Sequence, residues 1–105
     1  MIRIGLFNGG SMSDLMLLEK MGKYARENGV EAEIRGYAIS EIENEVENID
    51  VALLAPQLKF EMSSAQPLCI AKGVSMEVIS AIDYRKMDGK KVLDDAIKLA
   101  NTPTD

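Results

Sequence analysis

Ile2, Ile4, Leu6 and Phe7 open the chain as an apolar strand, which breaks into the polar run Asn8-Gly9-Gly10-Ser11-Met12-Ser13 before a helical spacing begins. In that helix Leu17, Leu18, Met21, Tyr24 and Ala25 fall on one stripe, and Asn28-Gly29 supplies a left-handed stop. Val30 to Tyr37 alternates small or apolar residues with charged ones, the pattern of an edge strand with one face in solvent. Ser40 with Glu43 forms a capping signal ahead of a short helix carried by Ile42, Val46 and Ile49. Its other face, Glu41, Glu43, Glu45 and Glu47, reads as a solvated acidic surface.

Asp50 leads into Val51-Ala52-Leu53-Leu54-Ala55, a continuous apolar run that predicts a central parallel strand covered on both faces. Pro56 ends it and opens a helix over Gln57 to Ala65, with Leu58, Met62 and Ala65 inward and Pro67 as the interruption. Leu68 to Ala71 then forms a further turn or packed segment ending at Lys72-Gly73, and Val74 to Ile79 is the fourth strand. A loop through Asp83 to Met87 precedes a last helix capped by Asp88, with Val92, Leu93, Ala96, Ile97 and Ala100 inward, and Thr102-Pro103 frees the tail.

Four strands alternating with four helices predict one α/β domain over residues 1–105, an open four-stranded parallel sheet in the order 2-1-3-4 with helices on both faces. In such a sheet the ligand site lies at the carboxyl ends of the strands, beside the switch in strand order. Three segments converge there: Asn8 to Asp14, Pro56-Gln57, and the stretch from Ser80 to Met87.

The first of these segments carries the candidate chemistry. Two adjacent glycines permit a tight turn, and Ser11 and Ser13 both suit the N-cap of a helix starting near Asp14. Ser11 followed by Asp14 also fits the short capping pattern. Such a loop gathers backbone N–H groups at the positive end of a helix dipole, a setting for an anion such as phosphate, with Gly9, Gly10, Ser11, Met12 and Ser13 as amide donors.

Composition narrows the choice. A net charge of −5 without clustered lysine and arginine argues against a nucleic-acid partner. With no histidine in the chain, base, ligand and phosphoryl-acceptor roles fall to other groups, and neither a metal nor a cofactor is expected. Cys69 is the only cysteine, so no internal disulfide forms; it reads as a small buried hydrophobe. No stretch approaches the ~20 apolar residues of a membrane span, and the expected place is the cytoplasm, without direct membrane insertion.

Several pieces in one order give the chain a family likeness: Ile4-Gly5-Leu6-Phe7 with its short loop, Met12-Ser13 entering the helix, and Val51-Ala52-Leu53-Leu54-Ala55-Pro56-Gln57. Glu77-Val78-Ile79, Tyr84 and Asp88-Gly89 continue it. Through nearly its whole length the sequence resembles the enzyme IIB components of the lactose/cellobiose class of the bacterial phosphoenolpyruvate-dependent sugar phosphotransferase system. The resemblance implies a flavodoxin-like topology and a role between a IIA phosphodonor and a membrane IIC sugar transporter. In that family a cysteine directly after the first strand accepts the phosphoryl group and passes it to the sugar.

Asn8 stands at that cysteine position, and an amide has no ionisable proton and almost no nucleophilicity at pH 7. What carries over to Gly9 through Ser13 is amide donation alone. Asp14 puts a carboxylate where the family has a hydroxyl; it is expected to turn outward and complement the helix dipole, since turned inward it would disfavour a dianionic phosphate. Pro56, Gln57 and Tyr84 fall at the rim of the site or on a partner-facing surface. Ser11 and Ser13 lack a histidine to activate them, and capping explains both. Lys59, Arg85 and Lys86 lie near the site, with Lys59 read as a solvated surface residue.

Two functions follow from the resemblance: a phosphocarrier component that Asn8 leaves inactive as a carrier, and a IIB-shaped binding or regulatory module that carries no phosphate. A third branch has Asn8-Gly9 deamidate to an aspartate able to form an acyl phosphate. A flavin or nucleotide protein fits less well, since the chain has no Trp and no Gly-Lys-Ser/Thr or Gly-x-Gly-x-x-Gly motif. A receiver domain fits poorly because Asp50 opens its strand instead of closing it.

Overall fold

A computed structural model describes residues 1–101; the expected free tail at Thr102-Pro103 lies outside the described residues. The apolar opening forms β1 (Ile2–Asn8), followed by α1 (Met12–Glu27), β2 (Ala32–Ala38), a short α2 (Ile42–Glu45) and β3 (Val51–Leu54). The chain continues through α3 (Met62–Ala71), β4 (Ser75–Val78), α4 (Ala81–Arg85) and α5 (Gly89–Ala100). All three strand pairings are parallel and the order is β2-β1-β3-β4, as the alternation of elements predicts.

The sheet separates two apolar clusters. Alternation along the strands sends Ile4, Leu6, Val51 and Leu53 toward α1 and α5, where Leu17, Met21, Val92, Leu93 and Ala96 complete one core. On the other face Phe7, Ala52 and Leu54 meet Ile42, Val46 and Ile49 together with Ala65 and Cys69 of α3. The run Val51–Ala55 is buried throughout, which explains its lack of polar alternation. At the opposite end from the site, Asp50 accepts hydrogen bonds from the Arg3 main chain (2.8 Å) and guanidinium, pinning the start of β3 to β1.

Four local expectations are corrected. The turn before α2 is capped not by Ser40 with Glu43 but by the Glu41 carboxylate, which accepts from the Ala38 main-chain N–H at 2.9 Å. Residues Pro56–Glu61 form a 3-10 helix, and α3 begins only at Met62, which is exposed and not inward. Pro67 lies inside α3 instead of interrupting it. Its ring suits helical φ, and the one hydrogen bond it forgoes would have gone to the carbonyl of Ser63, an exposed residue open to water. The stretch expected as a loop before the last helix contains α4, whose N-cap Ser80 accepts from the Asp83 N–H.

Close approach of α1 and α5 depends on Gly89. A Cβ there would stand 2.8 Å from the Lys20 carbonyl carbon and 2.9 Å from the Met21 nitrogen, both backbone atoms. Asp88 caps α5 as predicted, its Oδ1 accepting from the Lys91 N–H.

Candidate functional site

Asn8 ends β1, opposite Ala38 of β2, and its side chain folds back on its own backbone. Its Nδ2 donates to the Leu6 carbonyl at 2.9 Å, and its Oδ1 accepts from the Gly10 N–H at 2.8 Å. The carboxamide is buried, with Gly36 of β2 leaving room for it: a Cβ at position 36 would come within 3.3 Å of Asn8 Nδ2. Both polar ends of Asn8 therefore serve the turn. Of the glycine pair, Gly10 takes the left-handed backbone, at φ 80°.

Ser11 is the N-cap of α1, and it forms a reciprocal capping box with Asp14. The Ser11 hydroxyl accepts from the Asp14 N–H at 3.1 Å, and Asp14 Oδ2 accepts from the Ser11 N–H at 3.1 Å. The same Oδ2 also accepts from the Gly9 N–H at 3.2 Å. Asp14 is 1% exposed, so the outward orientation expected from the sequence is overturned. Four donor groups compensate the burial of this charge.

Two of those donors arrive from the segments after β3 and β4. Gln57, in the 3-10 turn after β3, donates through Nε2 to Asp14 Oδ1 (3.1 Å) and Oδ2 (3.2 Å). Tyr84 of α4 donates its hydroxyl to Oδ1 at 2.6 Å. The same hydroxyl lies 3.4 Å from Ser11 Oγ. The three segments that topology brings together thus meet on one carboxylate. Burial pushes the Asp14 carboxyl upward, but hydrogen bonds from Tyr84, Ser11 and Gln57 outweigh it and hold the group below its ordinary value.

The electrostatic result is an inward-facing anion ringed by neutral donors: two amides, a carboxamide and a phenol. The N–H groups of Gly9, Gly10 and Ser11 all have partners within the loop, the first and third on Asp14 and the second on Asn8. Met12 is exposed at the head of α1, while Ser13 lines a shallow hollow with Pro56, Tyr84 and Arg85. The Lys59 ammonium sits over the exposed Phe60 ring, 5.1 Å from its centre. Cys69 is fully buried in the second apolar cluster, where burial pushes its thiol up.

Comparison with known proteins follows the same lines. The model of the lactose/cellobiose-specific IIB subunit family of the phosphotransferase system matches residues 8–95. The chain belongs to this family. It is 32% identical to the oligo-beta-mannoside-specific EIIB component of Bacillus subtilis, covering 94% of this chain and 96% of the relative. It is 37% identical to the galactose-specific EIIB component of Lactococcus lactis, covering 93% and 95%. Among solved structures, the cellobiose-specific IIB component of Borrelia burgdorferi superposes with a TM-score of 0.81 at 37% identity, over 95% of this chain and 92% of that one. The lactose-specific IIB domain of Streptococcus pneumoniae shares the fold, with a TM-score of 0.83 at 15% identity over 93% and 96%. This chain and the two solved structures therefore share the IIB fold of flavodoxin-like topology, and among the described residues no helix is long and apolar enough to cross a membrane.

The Ser11–Asp14 capping pattern is found as the sequence predicts, but the amides of Gly9, Gly10 and Ser11, expected to face an external anion, are already engaged by Asp14 and Asn8. The sequence did not anticipate that Gln57 and Tyr84 would close on Asp14. The one signal available was the capping box itself, which turns an acidic third helical residue back toward the N-cap main chain.

Proposed function

We propose that this IIB chain serves a sugar phosphotransferase system in the cytoplasm as a single docking domain that engages a IIA protein and a IIC transporter without carrying phosphate at position 8. The observation that supports this reading is the state of Asn8. Resemblance sets it at the phosphocysteine position, and its carboxamide is buried and engaged at both ends in the turn. A phosphocysteine relay needs a polarisable nucleophile that ionises near neutral pH, and an amide supplies neither lone-pair reactivity nor a labile proton. The exposed ends of α1 and of the 3-10 turn, including Met12, Leu15 and Phe60, leave apolar side chains on the same end of the sheet for a partner protein.

Intact mass after incubation with phosphoenolpyruvate, the two general phosphotransfer proteins and a cognate IIA tests the reading. The expected spectrum has no phosphate adduct, while amide signals of residues 9–15 broaden when the IIA protein is added. A phosphate adduct on the unaltered chain would restore the carrier role and overturn the proposal. Deamidation of Asn8 before labelling is read in the same spectrum, since its aspartate product differs in mass.

A further inference from the structure

We propose that Asp14 is the resident anion of this loop: its carboxylate fills the place toward which the amides of Gly9 and Ser11 point, and so closes the loop to inorganic phosphate and to phosphoryl groups of the same size. This goes beyond the reading of Asn8 and does not depend on it. Asn8 decides whether a covalent bond to phosphorus can form; Asp14 decides whether a free oxyanion can enter at all.

The argument starts from the geometry of the donors. Gly9 N–H and Ser11 N–H converge on a single oxygen, Oδ2, at 3.2 and 3.1 Å, although the two residues are separated by the left-handed turn at Gly10. Convergence of this kind at the N-terminus of a 16-residue helix is the arrangement that holds an oxyanion. The second oxygen, Oδ1, takes the Tyr84 hydroxyl at 2.6 Å and Gln57 at 3.1 Å, donors supplied by segments distant in sequence. Donors from the segments after β1, β3 and β4 therefore solvate one internal charge. A capping residue at a surface helix would need only the first pair.

Competition with an external anion follows from simple electrostatics. A phosphate entering the loop would have to displace the carboxylate into solvent and strip it of all four donor groups, or sit beside it. Two like charges a few ångströms apart in a partly desolvated site repel, and the ring of donors contains no Lys or Arg to offset that repulsion. The tether favours the internal anion further, because Asp14 is already in place and loses no translational freedom on binding.

The test is a titration of the isotopically labelled chain with inorganic phosphate at pH 7, followed through the amides of Gly9, Gly10 and Ser11. For the unaltered chain these signals are expected not to move saturably, and the through-hydrogen-bond couplings from the Gly9 and Ser11 nitrogens to the Asp14 carboxyl carbon are expected to persist at the highest phosphate concentration. Asp14→Thr and Asp14→Ala are each expected to show saturable shifts at the same amides, with at least a tenfold gain in apparent phosphate affinity. Saturable phosphate binding by the unaltered chain, loss of the couplings as phosphate is added, or folded variants that gain no binding would each overturn the proposal. Should both variants unfold, persistence of the couplings in the unaltered chain still decides the matter. A phosphate adduct at position 8 in the mass experiment above would count against both readings, whereas saturable phosphate binding without an adduct would count against Asp14 alone.

Discussion

The Tyr84 hydroxyl donates to Asp14 Oδ1 at 2.6 Å, linking two residues that lie 70 positions apart in the chain. This contact joins α4, beyond the edge strand β4, to the first turn of α1, which follows the inner strand β1. A hydrogen bond to a charged, buried acceptor contributes more than one between neutral groups, about 1.5–3 kcal/mol. Tyr84→Phe removes the donor and keeps the ring, so urea denaturation should show a loss of about 1–2 kcal/mol, allowing for water reaching the freed oxygen. The Asp14 carboxyl should titrate at a higher pH in the variant, measured by carboxyl carbon shifts. An unchanged midpoint in both measurements would mean that the contact contributes nothing in solution.

Acid stability carries the same carboxylate in a different observable. Burial pushes the folded Asp14 upward, but hydrogen bonding outweighs it and holds the group below its ordinary value, to which it returns in the unfolded chain. Its contribution is therefore complete above the unfolded value and disappears as pH falls through the folded one. Asp50, held low chiefly by its hydrogen bond with Arg3, and Asp83, held low chiefly by Lys91, behave the same way, but they remain in both proteins of a comparison. Tyr84 faces Asp14 as a hydrogen-bond donor and is likewise present in both proteins. The stability difference between the unaltered chain and Asp14→Asn should thus be flat from about pH 5 to 7 and shrink below about pH 4. A difference that grows on acidification would reverse the sign assigned here.

Much of the fold was legible because its determinants are local. The uninterrupted apolar run Val51–Ala55 marks a strand covered on both faces, and Asn28-Gly29 and Asp88 mark helix ends by side-chain and backbone preferences of single residues. Pro67 misled because a proline's cost depends on what its missing N–H would have paired with, which is a property of the surrounding helix. The orientation of Asp14 was illegible for a related reason. An acid in a first helical turn normally faces water, and here Gln57 and Tyr84, brought in by the segments after β3 and β4, supply the donors that make the inward arrangement favourable. The stretch that holds α4 was expected as a loop, because a five-residue helix gives too little periodicity to announce itself.

Restoring a thiol at position 8 should be insufficient by itself if Asp14 holds the loop. A cysteine at the end of β1 would share the turn with a carboxylate, which disfavours both its thiolate and a phosphoryl group bound to it. In the phosphotransfer incubation described above, Asn8→Cys is expected to accept phosphate slowly and to low occupancy. The double variant Asn8→Cys with Asp14→Thr should exceed it by tenfold or more, an estimate from one like-charge repulsion of about 1.4 kcal/mol. Equal labelling of the two would show that the carboxylate yields readily, and absence of label from both would place the obstacle in docking to the IIA protein.

Two glycines offer a final contrast, because one stands in open space and the other against a neighbouring backbone. A Cβ at Gly9 would meet nothing within 4 Å, so Gly9→Ala should leave stability within about 0.5 kcal/mol of the unaltered chain. A Cβ at Gly89 would press on the Lys20 carbonyl carbon and the Met21 nitrogen, atoms fixed in the α1 hydrogen-bond ladder that cannot rotate aside. Relief requires α5 to draw back from α1, opening the core where Met21 and Val92 pack against Leu93 and Ala96. Gly89→Ala should therefore cost about 1–3 kcal/mol, the usual range for overpacking, partly offset by alanine's better helix propensity. Urea midpoints measured side by side would check the pair. A Gly89→Ala midpoint at or above that of the unaltered chain would mean that propensity outweighs the clash and that the two helices have more room than their backbone separation implies.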